Sequence, residues 1–109
     1  MYEKITGYLD SFENGTASDE ELRKEITSFI DDFSQSGFMN PDAMQVMAEH
    51  DWATRTALRN DAPSMSAEDA CACISAFVMQ ESFIEGIILD QIKQGILPLI
   101  LKRLKELDG

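Results

Sequence analysis

Leu22, Ile26, Phe29, Ile30 and Phe33 recur at steps of three and four residues, and this spacing returns along nearly the whole chain. Apolar side chains at that interval share one face of an α-helix. Tyr2, Ile5, Leu9 and Phe12 open the pattern, and Ile74, Phe77 and Val78 resume it. Phe83, Ile84, Ile87, Ile88 and Ile92 continue it, and Leu97, Ile100, Leu101 and Leu104 close it. No segment alternates apolar and polar residues between hairpin turns, as strands would. The pattern predicts an all-α fold, a compact bundle of five to seven short helices with no sheet. At 109 residues, 44% of them hydrophobic, one domain spanning residues 1–109 is expected. Folding at this size buries roughly 60–70% of the unfolded chain's surface, enough for a core without staples.

Turn and cap signals divide the pattern. Asn14-Gly15 closes the first segment. Ser18-Asp19-Glu20-Glu21 reads as a capping box, with acids where the helix dipole favours them. Gly37 is a left-handed helix stop with Phe38 packing back. Asn40-Pro41 reads as an N-cap followed by proline at the first helical position, leading into a short helix with an apolar stripe of Met44, Met47 and Ala48. Between residues 50 and 65 the pattern weakens. Trp52, Ala53, Ala57 and Leu58 suggest a short helix, and Asn60-Asp61-Ala62-Pro63 a loop. Ser66, with Asp69 three residues on, caps the next helix. Residues 67–94 form one long helix or two with a break near Ser82, since Gly86 carries a helix penalty of about 1 kcal/mol. A last helix starts around Gly95-Ile96-Leu97-Pro98, because proline is tolerated in a first turn. Lys102, Arg103 and Lys105 lie in its final turns, where cations suit the dipole.

Charge excludes several functions. The chain has 20 acidic and 9 basic residues, a net of −11. Residues 1–51 hold 12 acids and 3 bases, a net of −9, and the remainder carries −2. Such a surface repels phosphate backbones and anionic membranes, so neither direct nucleic-acid binding nor a membrane partner is expected. The opening Met1-Tyr2-Glu3-Lys4 has no apolar core of a secretory signal, and no apolar run reaches membrane-spanning length. A cytoplasmic protein is the expectation.

Few residues suggest chemistry. Cys71 and Cys73 stand two apart, roughly 200° around a helix, so they cannot share a ligand site. They read as small buried hydrophobes. His50, the single histidine, is expected at a helix end, where it would satisfy a terminal carbonyl. Glu81 and Glu85 share a helix face at four residues' separation. They could form a carboxylate pair for acid/base work or a divalent cation, with Glu49 and Asp51 as further oxygens, or simply lie on a wet face. Arg55 and Arg59 form a basic pair at the same spacing. They could grip a carboxylate or phosphate, or pair with the acidic N-terminal half. No phosphate-binding loop, dinucleotide fingerprint, zinc-protease motif, calcium loop or nucleophile elbow occurs. No catalytic residue, metal site or cofactor is assigned, and the balance leans away from an enzyme.

The run Phe77-Val78-Met79-Gln80-Glu81-Ser82-Phe83-Ile84-Glu85-Gly86, then Ile92-Lys93-Gln94-Gly95-Ile96 and Leu101-Lys102-Arg103-Leu104, resembles a family of small bacterial domains of unknown function. Tyr2-Glu3-Lys4-Ile5 and Ser36-Gly37-Phe38 fit it too. The resemblance implies a domain that stands alone or accompanies ADP-ribosylglycohydrolases and macro domains. The family's Arg-x-x-Arg-Phe-x-Glu-Gly string keeps Phe83, Glu85 and Gly86 here, but Met79 and Ser82 replace its arginines. If those arginines serve an anionic ligand in relatives, that role loses its residues here; if they only pair with Glu85 and its neighbours, this chain has repacked.

Three functions follow as expectations. The first is a non-enzymatic interaction module or homodimer that makes contact through Trp52, Phe83, Ile87 and Leu101, with Glu85 beside them. The second is a nucleotide or ADP-ribose-like ligand site where Arg55 or Arg59 meets Glu81 or Glu85. The third is an acidic nucleic-acid mimic for a basic protein.

Overall fold

The structure is a computed structural model that describes residues 2–13, 17–52 and 54–108. The Asn14-Gly15 turn and Ala53 lie outside the described residues. The opening segment is helical in two pieces, α1 (Glu3–Thr6) and α2 (Leu9–Glu13). There follow α3 (Asp19–Gln35), α4 (Ala43–Glu49), α5 (Arg55–Asp61) with a 3-10 turn at Ala62–Ser64, α6 (Ala67–Glu81), α7 (Ile87–Lys93) and α8 (Ile96–Asp108). With the broken opening segment counted once, these are seven α-helical segments, and no strand occurs among the described residues. Among the described residues no helix is long and apolar enough to cross a membrane.

Local chemistry sets the ends. Ser18 Oγ accepts the backbone N–H of Glu21 at 3.2 Å, and Ser66 Oγ that of Asp69 at 3.1 Å. Each bond satisfies a donor that the first helical turn leaves free. Gly37 has φ +79, and Phe38 folds back to lie 6.4 Å from Phe33 and 4.8 Å from Tyr2, ring centre to ring centre. The Asn40-Pro41 reading needs correction. Asn40 Oδ1 accepts the N–H of Asp42 at 2.8 Å, forming a side-chain turn, and α4 starts two residues later.

The centre of the bundle is α6 against α8. From Ala70 to Val78 every α6 residue is buried, because a helix apolar on all sides must be enclosed. Most of these side chains are small, so neighbours approach closely. Buried Ser75 illustrates this: its Oγ donates to Cys71 O at 2.8 Å and accepts the N–H of Asn40 at 2.9 Å, tying the α4 approach to α6. The α4 stripe is correspondingly shifted. Ala43 is fully buried, whereas Met44 is half exposed and Ala48 exposed. On α8, Ile96, Leu97, Ile100, Leu101 and Leu104 are all fully buried. Phe12, Phe29, Phe33 and Phe38 link α2 and α3 through successive ring contacts.

Candidate functional site

The two-helix alternative for residues 67–94 is the one observed. Helix α6 stops at Glu81, and the chain turns through residues 82–86 before α7 starts. Gly86 supplies the turn, with φ +98, a conformation that costs a side-chain-bearing residue roughly 1 kcal/mol or more. The N–H groups of Phe83 and Ile84 both donate to Gln80 O, at 3.0 and 2.8 Å. The Glu81 carboxylate then reaches across the turn. Its Oε2 accepts the N–H of Gly86 at 2.7 Å and its Oε1 that of Ile88 at 2.9 Å. Gly86 has no side chain to cap α7, so Glu81 does it from the preceding helix.

The result is a short loop held at both ends with its apolar apex outside. Phe83 is 88% exposed and Ile84 61%. Both belong to the apolar stripe of the sequence, from which Phe83 is expected as a contact, and the end of α6 at Glu81 turns both outward. Ile87 is partly buried. Beneath the loop a small cleft of about 180 Å³ runs against α3, lined by Arg23, Ile26 and Thr27 on one side and Glu81, Glu85 and Leu89 on the other. Glu85 is exposed, and Glu81 is committed to backbone N–H groups.

The other expected site residues lie elsewhere. Arg55 pairs with Asp90, and Arg59 donates to the backbone and side-chain oxygens of Gln94 at 3.0 and 3.2 Å. Both arginines thus strap α5 to α7 and its C-terminal end: the acidic partner of Arg55 is Asp90 of α7 and not a residue of the N-terminal half, and Arg59 meets the neutral Gln94. Neither makes a hydrogen bond or ion pair with Glu81 or Glu85. Trp52 and Leu101, named as contacts, are core residues at 3% and 0% exposure. The Trp52 indole N–H donates to Asp61 Oδ2 at 2.6 Å, and Leu101 lies on the inner face of α8. Their size and hydrophobicity are used inside the fold.

His50 also departs from its reading. Its ring stacks on Trp52, centroids 4.3 Å apart and planes within 12°, and its Nε2 lies 3.6 Å from Asp69 Oδ2. The carbonyl near the helix end is met instead by its backbone N–H, which donates to Val46 O. Cys71 and Cys73 are buried free thiols. Burial pushes their pKa values up to about 11 and about 12, which leaves unreactive protonated thiols at neutral pH. Among the described residues no cluster of His, Cys, Asp and Glu is arranged to hold a metal ion.

A second cleft was not foreseen. It has a volume of about 320 Å³ and lies where α4, α6 and α7 meet, lined by Met44, Met47, Ala48, Trp52, Phe77, Gln80 and Gln91. No lining side chain is charged. Gln91 Oε1 is buried and accepts no hydrogen bond from the protein. No sequence signal marks it, because its walls come from three helices separated along the chain.

Comparison with curated proteins and with solved structures gives no match. A family model described as a family of unknown function, DUF6508, matches residues 5–108. That span runs from the first buried residue of α1 to the end of α8 and takes in the core, the α6–α7 loop and both clefts. The chain belongs to the DUF6508 family of unknown function.

Proposed function

We propose that this domain is a protein-interaction module whose contact is the α6–α7 loop, with Phe83 and Ile84 as the inserted side chains. The observation that carries the reading is their joint exposure on a loop anchored by Glu81 and by Gln80. Single exposed apolar residues are ordinary. Two adjacent large ones at the apex of a pinned turn form a preorganised anchor, which lowers the ordering cost of binding. Transferring both into a partner's pocket contributes about 2–4 kcal/mol, the scale of a binding hot spot.

Charge specifies the partner. Glu85 lies beside the apex, and the neighbouring α3 carries Glu20, Glu21 and Glu25 against Arg23 and Lys24. The fitting surface is an apolar pocket with a basic rim. A second copy of the chain fits poorly, since each copy carries −11 and like charges repel. The test is affinity capture with the wild type and with Phe83→Asp/Ile84→Asp, alongside sedimentation of each. One defined protein retained by the wild type, released by salt and absent from the variant supports the reading. Identical retention by both, or self-association removed by the substitutions, contradicts it.

A further inference from the structure

We infer that the contact surface of the α6–α7 loop continues into the cleft between α4, α6 and α7, and that the two together dock one amphipathic helix of a partner protein, its apolar stripe flanked by lysine or arginine. The inference rests on the reading of the loop as a contact and names the shape and charge of what the loop meets.

Gln80 joins the two features. It lines the cleft, and its backbone oxygen accepts the N–H groups of Phe83 and Ile84. Gln91, on α7 beyond the loop, lines the same cleft. Apex and cleft are therefore neighbours at the C-terminal end of α6. The accessible wall of the cleft is that of α4, where Met44 is half exposed, Ala48 exposed and Met47 partly buried. Flexible thioethers adapt to the side chains of a docked helix, and helix-binding grooves use them for that reason.

Volume sets the scale. An apolar cavity of roughly 150 Å³ holds a benzene ring, so the cleft, at about 320 Å³, accepts one or two large apolar side chains of a helix. Elsewhere on the same stripe Phe83 enters the hole between four side chains, the packing that helices use on one another. That hole is the apolar pocket the loop requires, and the flanking cations are its basic rim.

Charge selects the side of the loop and the sign of the partner. Residues 40–52 contain Asp42, Glu49 and Asp51, residues 78–92 contain Glu81, Glu85 and Asp90, and neither stretch contains Lys or Arg. Asp42 and Glu49 stand exposed at the two ends of α4, and Glu85 is exposed on the loop. Arg55 is already held by Asp90. The cleft on the opposite side of the loop has Arg23 in its wall and Lys24 beside it, so a basic helix is drawn to the α4 side.

The probe is a synthetic peptide of about 18 residues, long enough to be helical, with leucines at three- and four-residue steps and lysines beside them. One control has glutamate for each lysine; the other has the same composition in an order that breaks the stripe. Both are titrated into protein labelled at the methionine methyl groups, with the Met44 and Met47 signals assigned by substituting each with leucine. The leucine–lysine peptide should shift both signals saturably, and each control should bind at least about tenfold more weakly. Ala48→Arg, at the exposed edge of the cleft, and Phe83→Ser/Ile84→Ser should each weaken the peptide about tenfold while the fold is retained. Met44 and Met47 signals unmoved by the peptide overturn the inference, as does equal affinity for the peptide with the broken stripe. Binding that the serine pair weakens while Met44 and Met47 stay unmoved overturns the helix in the cleft and leaves the loop as the contact. Binding in the cleft that the serine pair leaves unchanged removes the loop from the interface and overturns the joined surface.

Discussion

Glu81 Oε1 accepts the backbone N–H of Ile88 at 2.9 Å, so the last residue of α6 caps the first turn of α7. The same carboxylate holds Gly86. One side chain therefore sets the angle between two helices and the position of the apolar apex between them. Glu81→Ala should cost about 1–2 kcal/mol, the usual value of a lost cap. In a domain of this size that lowers Tm by roughly 4–8 °C for each kcal/mol. Glu81→Gln should lose less, because one amide oxygen still accepts. Thermal denaturation of the two variants checks the order, and a Glu81→Gln variant as stable as the wild type would show that the side chain acts through packing and not through its acceptors.

Stability should fall at alkaline pH. Burial raises Cys71 to about 11 and Cys73 to about 12, and burial followed by the hydrogen bond to Asp32 raises Tyr8 to about 12. In the unfolded chain thiols titrate near roughly 8.5 and tyrosine near about 10. Above those values the unfolded state releases protons that the folded state keeps, so pH favours unfolding. The stabilisation is complete below pH ~8.5 and is lost as pH rises towards about 12. Urea titrations from neutral pH to about 10.5 should show this decline, and Cys71→Ala/Cys73→Ala should flatten its first part. A flat profile in the wild type would contradict the burial of the thiols.

Arg55 and Asp90 are about half exposed, at 50% and 44%. Such a pair contributes less than about 1 kcal/mol and is screened by salt. Arg55→Ala should leave the fold intact, and its small Tm loss should shrink at high ionic strength. A loss above about 2 kcal/mol would place the arginine in a tighter network than its exposure implies.

Trp52→Phe should be more damaging. It leaves a gap in the core and removes the 2.6 Å bond to Asp61. Bonds to charged groups contribute about 1.5–3 kcal/mol, to which the lost packing adds. Asp61→Asn keeps the packing and should cost less. Chemical denaturation of both variants separates the two contributions, and equal losses would assign the whole effect to the bond.

Periodicity and caps gave the helical class and placed α3, α6 and α8 closely, because Ser18, Ser66 and Gly37 act within a few residues of themselves. Three-body features were beyond that reach. The exposure of Phe83 depends on where α6 ends, and the spacing of Phe83, Ile84, Ile87 and Ile88 is equally consistent with an unbroken helix. The capping role of Glu81 required knowing that α7 begins at Ile87. Arg55 and Arg59 look alike in sequence, yet their partners lie 35 residues away in each case. The cleft around Gln91 involves α4, α6 and α7, so no local pattern encodes it.

The most direct test of the central claim places a photocrosslinking phenylalanine analogue at position 83 in cells that naturally express the protein. The same analogue at Asp31, exposed on α3, provides the control. An interaction module reached through the α6–α7 loop should give one discrete adduct with another protein from position 83 and none from position 31. Adducts equal at both positions, or adducts only between copies of this chain, would contradict it.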